Sequence, residues 1–563
     1  MKEHIIMLAA QAVVKILEAE GIKNAFGIPG AGINPVYKYL GQSDISHFTM
    51  RHEEACVHAA DGHYRSSGEM ALAICTSGPG ATNFVTGLYT ADIDSIPLIA
   101  ITGQNVTSLL GKDAFQCVDI ADIARTVCKK AWCVTDAAQL PEIMREAFKV
   151  AKSGKPGPVL IDLPLDVQKA DIDFDIADYT PLETATPALD MDKISEALEL
   201  IKSAKNPVIV MGGGVVLSGA TKECIELAEC MQIPVIPTYM AKGAIPDEHP
   251  LNAGHMGIQV GGPMGNKTFL ESDVVLGIGC RFTDRHTGAL DTYVGERKFI
   301  HINIEPREIG KLITPEVGIV ADAKEAINAM LNAANKEKSC YSPAERVKNL
   351  PAERESLRRK TDFNTKPIKP QKIFNEINKE FDDDTIFTTG CGLVQIWSGQ
   401  FQKINKPMRY LPSGGAGTLG FDIPAAIGAV AGDKFKNKAV CVMGDFGFTF
   451  MVEELAVAAK HKLPIIVVIL NNAYLSLIRQ NQKYAYEYEC AVAMEENQNG
   501  LIDYVKVAEG FGCKAERVTE PQDIAGALQR AKASDMPYVV DIVCERETDG
   551  SMGNSIDAVK EHE

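Results

Sequence analysis

Long apolar stretches are missing from this chain. Its apolar runs last about six to eight residues, whereas a helix that crosses a bilayer needs about twenty, so no membrane span is expected. A positively charged leader ahead of an apolar core is absent from Met1-Lys-Glu-His4, which makes a cytoplasmic location the expectation. Excess basic charge is absent too. Fifty-seven Lys and Arg face 74 Asp and Glu, for a net charge of −17, which leaves no electrostatic footprint for nucleic acid and argues against an anionic membrane surface. The fourteen cysteines include no Cys-x-x-Cys pair, so neither a zinc knuckle nor a disulfide framework is indicated, and small core residues are expected instead. At 563 residues the chain exceeds what one core supports, and about three domains are expected.

What is present begins with one βαβ unit. Lys438 to Met443 reads as a buried parallel strand, Val452 to Lys462 as a helix, and Pro464 to Leu470 as a second strand. Gly444-Asp445-Phe446 follows the first strand and Asn471-Asn472 the second. A right-handed crossover brings Asp445 and Asn472 to the same carboxyl edge of the sheet. A carboxylate and an amide oxygen there suit Mg²⁺, which completes its octahedron with phosphate oxygens and water. Either piece alone reads as turn chemistry. Their pairing favours a metal-bound diphosphate.

The same pattern recurs near residues 70 to 104, with Ala71 to Cys75, a turn at Thr76-Ser-Gly-Pro-Gly80, a helix, and Ile96 to Ile101. Pro156 to Pro164 likewise matches Met536 to Val543. The first and last thirds therefore read as sibling α/β domains. An acidic, Pro-containing stretch from Ala170 to Pro187 reads as a linker, as does the charged segment Asn335 to Lys369. The expected division is 1–170, 188–334 and 366–548, with a tail at 549–563, and all three domains are α/β with parallel sheets. In the middle domain, the strand Pro207 to Met211 runs into Gly212-Gly213-Gly214 and a helix. That turn does not match Gly-x-Gly-x-x-Gly, so a phosphate seat and a plain tight turn are equally good readings. Glu53 follows an expected strand, Ile45 to Met50. In an extended segment its neighbour Glu54 points the other way, and an ion pair from Glu53 to Arg51 is the alternative to a catalytic role.

Six motifs then stand in order: Phe26-Gly-Ile-Pro-Gly-Ala31, Arg51-His-Glu53, Thr76-Ser-Gly-Pro-Gly-Ala-Thr82, Phe115-Gln116, Gly444-Asp445 and Asn471-Asn472. In this order they make the chain resemble, over essentially its whole length, thiamine-diphosphate-dependent enzymes of the acetohydroxyacid synthase and glyoxylate carboligase group. The resemblance implies that the first domain binds the aminopyrimidine and the last the diphosphate through Mg²⁺. It also implies that the central domain holds FAD without net redox use, and that the active site lies between two chains. A homodimer is then the minimum, and a homotetramer is expected.

The resemblance assigns residues as well. Cofactor contacts fall on Pro29, Gly30, Ser77, Gly78, Gly392, Gly417, Leu419, Gly444, Asp445, Phe446, Asn472, Tyr474 and Leu475, with Asp445, Asn472 and the Tyr474 carbonyl on the metal. Glu53 drives the aminopyrimidine proton, helped by a pKa that burial would raise. Leu419 wedges the cofactor into its bent form, and Gln116 faces the reacting centre. FAD falls on Gly212, Gly213, Gly214, Arg281, Asn303, Ile304 and Asp322, and substrate on Phe115, Leu477, Ile478 and Asn481. The implied chemistry decarboxylates a small 2-oxoacid and joins the remaining carbon unit to a second carbonyl, with the thiazolium as electron sink.

Within the group, Gly444-Asp-Phe446, Asn472 to Gln482, Arg285-His-Thr-Gly288, Val505 to Gly510 and Ser551-Met-Gly553 resemble glyoxylate carboligase. Asn481 stands where synthases use Trp to favour 2-oxobutyrate. Two features point the other way. Glyoxylate carboligases have an apolar residue where this chain has Glu53, and Thr389 to Trp397 and Gly420-Phe421 look synthase-like. Condensation of two glyoxylates to tartronate semialdehyde and CO₂ is the leading expectation. Acetolactate formation from two pyruvates is the alternative, and a flavin-dependent 2-oxoacid oxidase a further one.

Overall fold

Near-continuous apolar strands buried on both faces build a parallel sheet that helices cover on both sides. Leu72–Cys75, Ile99–Gln104 and Val159–Pro164 are buried along their whole length, as is Ile465–Asn471. The computed structural model describes residues 6–336, 344–494 and 502–562. They form three parallel-sheet domains, with a short antiparallel pair of Ile6–Leu8 with Asp171–Asp173 beside the first. That pair carries the first domain past its expected end at residue 170, so the stretch expected as a linker begins with a strand.

In the first sheet the strand order is Ser46–Thr49, Asn24–Gly27, Leu72–Cys75, Ile99–Gln104, Val159–Pro164, Lys130–Cys133. The last sheet runs Tyr410–Pro412, Ile386–Thr389, Ala439–Gly444, Ile465–Asn471, Tyr538–Val543, Lys514–Val518. Counted within each domain, both orders are 2-1-3-4-6-5, which makes the two domains siblings in topology. The likeness reaches single residues. Asp162 pairs in register with Thr102 and accepts from Thr102 and, two residues on, from Gln104. Asp541 pairs with Ile469 and accepts from Asn471, also two residues on. The central sheet has five parallel strands in the order 2-1-3-4-5.

The siblings pack through equivalent helices, Glu53–Ser67 and Asp422–Gly432. Glycine makes the approach possible: a Cβ on Gly428 would collide with the Ala59 carbonyl, and one on Gly62 with the Ala425 carbonyl. One apolar core, including Phe26, Ala60, Phe84, Ile423, Ile427 and Met443, consequently runs through both domains.

Two local expectations need correction. The second linker, part of which lies outside the described residues, contains the helix Glu345–Ser356. Val347 and Leu350 are buried on it, and Arg354 donates to the His249 and Asn252 carbonyls. The expected helix Val452 to Lys462 is a 3₁₀ turn, Val452–Glu454, followed by the helix Leu455–Lys460.

Candidate functional site

In a doubly wound sheet, ligands bind beyond the carboxyl ends of the strands where the strand order reverses. Here that switch point lies between strands 1 and 3 of each sibling. The loops there are Pro29-Gly30 and Thr76 to Gly80 in the first domain, and Gly390 to Gly392 and Gly444 to Phe446 in the last.

The first-domain loops are fitted to one another. The Gly32 N–H donates to Thr76 Oγ1 at 3.1 Å, and a Cβ on Gly30 would lie 2.5 Å from the Thr76 Cβ. Gly78 has φ +64°, and a Cβ there would lie 2.7 Å from the Gln116 Cβ. A Cβ on Gly80 would stand 3.2 Å from Glu53 Oε1, and Asn83 Nδ2 donates to Glu53 Oε2 at 2.8 Å. Gly30 thus packs on Thr76, Gly78 on Gln116 and Gly80 on Glu53, with Pro29 and Ser77 next to them in sequence. Glu53 follows the strand Ser46–Thr49 as expected but opens the helix Glu53–Ser67, so Glu54 lies about 100° round the axis and not on the opposite side. Glu54 pairs with His58 at 3.2 Å. Arg51 does not pair with Glu53; its guanidinium donates to the Thr49 carbonyl at 2.8 Å. Asn83 carries no sequence motif that would have singled it out, only its place on the helix after Gly80. Phe115, beside Gln116, is 85% exposed.

In the last domain, Asp445 and Asn472 are buried at the ends of adjacent strands paired Gly444 to Leu470. The Asp445 carboxylate accepts from the Ala473 N–H at 2.7 Å and the Phe446 N–H at 3.0 Å. Burial nevertheless pushes its pKa up to about 7. Asn472 Nδ2 donates to Ser476 Oγ at 2.5 Å and the Arg546 carbonyl at 3.3 Å, which leaves Oδ1 as its acceptor. Two guanidinium groups lie over the Tyr474 ring, Arg479 at 5.3 Å and Arg546 at 4.7 Å. Asp445, the Asn472 amide and the Tyr474 carbonyl make an all-oxygen donor set, which fits a hard divalent cation.

Around this corner, Gly392 and Gly417 hold φ of +102° and +63°, conformations that favour glycine. Leu419 is only half buried. Its Cδ2 lies 3.9 Å from where a Cβ on Gly447 would sit, which places it beside the corner. Leu475 donates its N–H to the Val492 carbonyl and leads into the helix Ser476–Asn481. Ile478 and Asn481 share its exposed face, whereas Leu477 turns inward and packs against the domain core.

A cavity of about 580 Å³ opens at the carboxyl edge of the central sheet, against both siblings, and is lined by Gly213, Gly214, Arg281, Asn303, Ile304 and Asp322. Its size suits an organic ligand. Gly212 does not line it. The Gly212 and Gly214 N–H groups already donate to the Ile278 and Gly279 carbonyls, so these glycines serve the close approach of two turns. Asn303 is likewise committed, donating to the Cys280 carbonyl and accepting from the Glu305 N–H. Asp322 caps the helix Ala323–Lys336. Lys242, which no motif marks, is buried in the cavity wall and donates to the Gly399 carbonyl at 3.0 Å. Arg285 donates to the Gly414 carbonyl at 3.3 Å, and Asp94 accepts from the Gly414 and Gly415 N–H groups. The loop leading to Leu419 therefore forms part of the cavity wall.

Three family models match the chain in succession. Residues 7–123 match the thiamine pyrophosphate enzyme N-terminal TPP binding domain, 194–330 the central domain, and 390–542 the C-terminal TPP binding domain. Among curated relatives, glyoxylate carboligase of Escherichia coli O157:H7 is 44% identical, with 99% of this chain and 96% of the relative covered. A probable acetolactate synthase large subunit of Methanococcus aeolicus is 40% identical over the same shares. One from Methanocaldococcus jannaschii is 41% identical, with 95% of this chain and 92% of the relative covered.

Proposed function

The chain belongs to the thiamine-diphosphate-dependent decarboxylating carboligases, and from that premise we propose that it joins two glyoxylates into tartronate semialdehyde with release of CO₂. The observation that carries this choice is Asn481. It shares with Ile478 the open face of the helix beside the Asp445 corner, so that face is half polar. Each substrate methyl needs apolar space, worth about 1 kcal/mol or more per methyl, and glyoxylate has none. The 44% identity to a glyoxylate carboligase over nearly the whole chain agrees with this reading.

Bound thiamine diphosphate would supply the thiazolium electron sink for decarboxylation and carbon–carbon bond formation. The protein's task is then geometry and proton control. Asp445, the Asn472 amide oxygen and the Tyr474 carbonyl hold Mg²⁺ and with it the diphosphate. Leu419 would support the bound cofactor from its apolar side, Glu53 would hold the proton that passes to and from the pyrimidine, and Gln116 would face the reacting carbonyl. The central cavity would take FAD as a structural dinucleotide, with Arg281, Ile304 and Asp322 among the residues lining it. Glu53 and Asp445 hang on different sheets, and we assign the complete site to a homodimer, with a tetramer as the working assembly.

One observation favours a second reading. Glu53 is present, as in acetohydroxyacid synthases, and two synthase relatives are 40% and 41% identical. The test is product identification by mass spectrometry, with glyoxylate and pyruvate supplied separately and then together, under thiamine diphosphate and Mg²⁺. Tartronate semialdehyde with one CO₂ per two glyoxylates is expected. 2-Acetolactate as the main product would overturn the assignment in favour of the synthase reading. Bleaching of bound flavin on addition of substrate would point to an oxidase.

A further inference from the structure

Glu454 is fully buried in the 3₁₀ turn Val452–Glu454, in the last domain. Its Oε1 accepts from the Arg51 N–H at 2.8 Å and the His52 N–H at 2.9 Å, both in the first domain. Among the described residues, its Oε2 is buried without a hydrogen-bond partner. Those two N–H groups come just after the strand Ser46–Thr49 ends and just before the helix Glu53–Ser67 begins, where neither ladder nor helix supplies an acceptor. The residues they belong to do not fix the segment by themselves. The Arg51 side chain turns back to the Thr49 carbonyl, and His52 Nδ1 accepts from the Glu54 N–H, one residue beyond Glu53.

The turn carrying Glu454 is itself held. Met451, just before it, is in the left-handed conformation at φ +56° and is 8% exposed, and a non-glycine residue adopts that only where its surroundings demand it. A Cβ on Gly420 would lie 2.9 Å from the Met451 Cγ, so the loop bearing Leu419 makes room for this bend. The segment from Asp445 to Glu454 thus starts at the diphosphate corner and ends on the backbone that presents Glu53.

We propose that Glu454 is a positioning residue for Glu53: its carboxyl clamps the Arg51–His52 backbone and so sets where the Glu53 carboxyl meets the pyrimidine. This rests on the reading of Glu53 as the pyrimidine-facing acid given above. One carboxyl oxygen accepting two N–H groups needs no charge, so glutamine can replace it. A shorter or apolar side chain cannot reach.

The test uses full-length Glu454→Ala, Glu454→Asp, Glu454→Gln and Glu53→Gln, each loaded with Mg²⁺ and thiamine diphosphate. Two quantities are measured: cofactor affinity by calorimetry, and exchange of the thiazolium C2 hydrogen for deuterium, by acid quench and proton NMR. Glu454→Gln should exchange within about threefold of wild type. Glu454→Asp and Glu454→Ala should exchange at least about tenfold more slowly, since displacement by an ångström can cost about a hundredfold, while cofactor affinity stays within about threefold. Should the alanine variant not fold, the aspartate variant decides. Wild-type exchange in Glu454→Asp or Glu454→Ala, with Glu53→Gln slow, would overturn the clamp alone. Slow exchange in Glu454→Gln would overturn it in favour of a charge role, and wild-type exchange in Glu53→Gln would remove the Glu53 role and the clamp together.

Discussion

Asp445 and Glu53 are both acids near glycine turns, yet their surroundings give them separable tasks. Asp445 is buried between two backbone N–H donors at the end of a strand, and no lysine or arginine pairs with it among the described residues. Removing its carboxylate takes away the charged oxygen ligand that the corner offers a cation. Asp445→Ala should therefore weaken Mg²⁺-dependent thiamine diphosphate binding by at least about a hundredfold, since close charge pairs to a buried metal are worth several kcal/mol; calorimetric affinity unchanged from wild type would rule the corner out. Glu53 instead accepts from Asn83 beside Gly80. Glu53→Gln should keep cofactor affinity and lose turnover by about a hundredfold or more, the usual scale for a general acid–base; near-normal turnover would dismiss the proton role. Both positions were legible because a family order of motifs flags them. The local geometry of Glu53 was not, because Ile45 to Met50 reads as extended and nothing in Arg51-His52 announces that the next residue begins a helix. Glu454 was illegible for a deeper reason. Its partners lie about 400 residues away, and only tertiary packing brings them together.

At the level of elements, sequence periodicity captured the strands better than the connections. Short, Pro-led, β-branched apolar runs such as Pro464 to Leu470 favour buried strands over helices, and the repeated strand–turn–helix pattern marks the sibling domains that share one strand order. The segments expected as linkers were harder, since a charged helix such as Glu345–Ser356 buries few residues and looks like solvent-facing chain. The siblings also differ in a way that predicts pH dependence. On equivalent strands, Asp541 has Arg517 at 2.7 Å, while the side-chain partners of Asp162 among the described residues are Thr102, Gln104 and Cys133, and burial pushes its pKa up to about 7. An acid whose pKa is higher in the folded than in the unfolded state stabilises the fold fully only below its unfolded value near 4. That contribution is lost as pH rises through about 7. Asp162→Asn has no such loss. Between pH 5 and 8 the wild type should therefore lose about 2 kcal/mol relative to the variant, seen as diverging midpoints in guanidinium unfolding; midpoints that move in parallel would mean Asp162 ionises normally.

The whole molecule raises the question of how two halves of one site meet. Within a chain, the sibling domains are locked together through the Glu53–Ser67 and Asp422–Gly432 helices, and the hydrogen bond that Glu53 makes stays within its own domain, on Asn83. Large apolar side chains stand in water near both halves: Phe115, Tyr89 and Ile123 on the first domain, Ile478, Phe450 and Tyr486 on the last. Exposed groups of this kind would suit contact with protein if they gather on one face, and the two-fold pairing proposed above would set the first domain of one chain against the last domain of another. That arrangement has a countable consequence. Glu53→Gln and Asp445→Ala chains, each inactive as homodimers, are unfolded and refolded together in equal amounts. Random pairing makes half of the dimers mixed, and in each mixed dimer one site carries both substitutions and the other neither. Turnover should return to about one quarter of wild type. If Glu53 and Asp445 of the same chain formed a site, every site in every dimer would carry one substitution, and the mixture would stay as inactive as its parents.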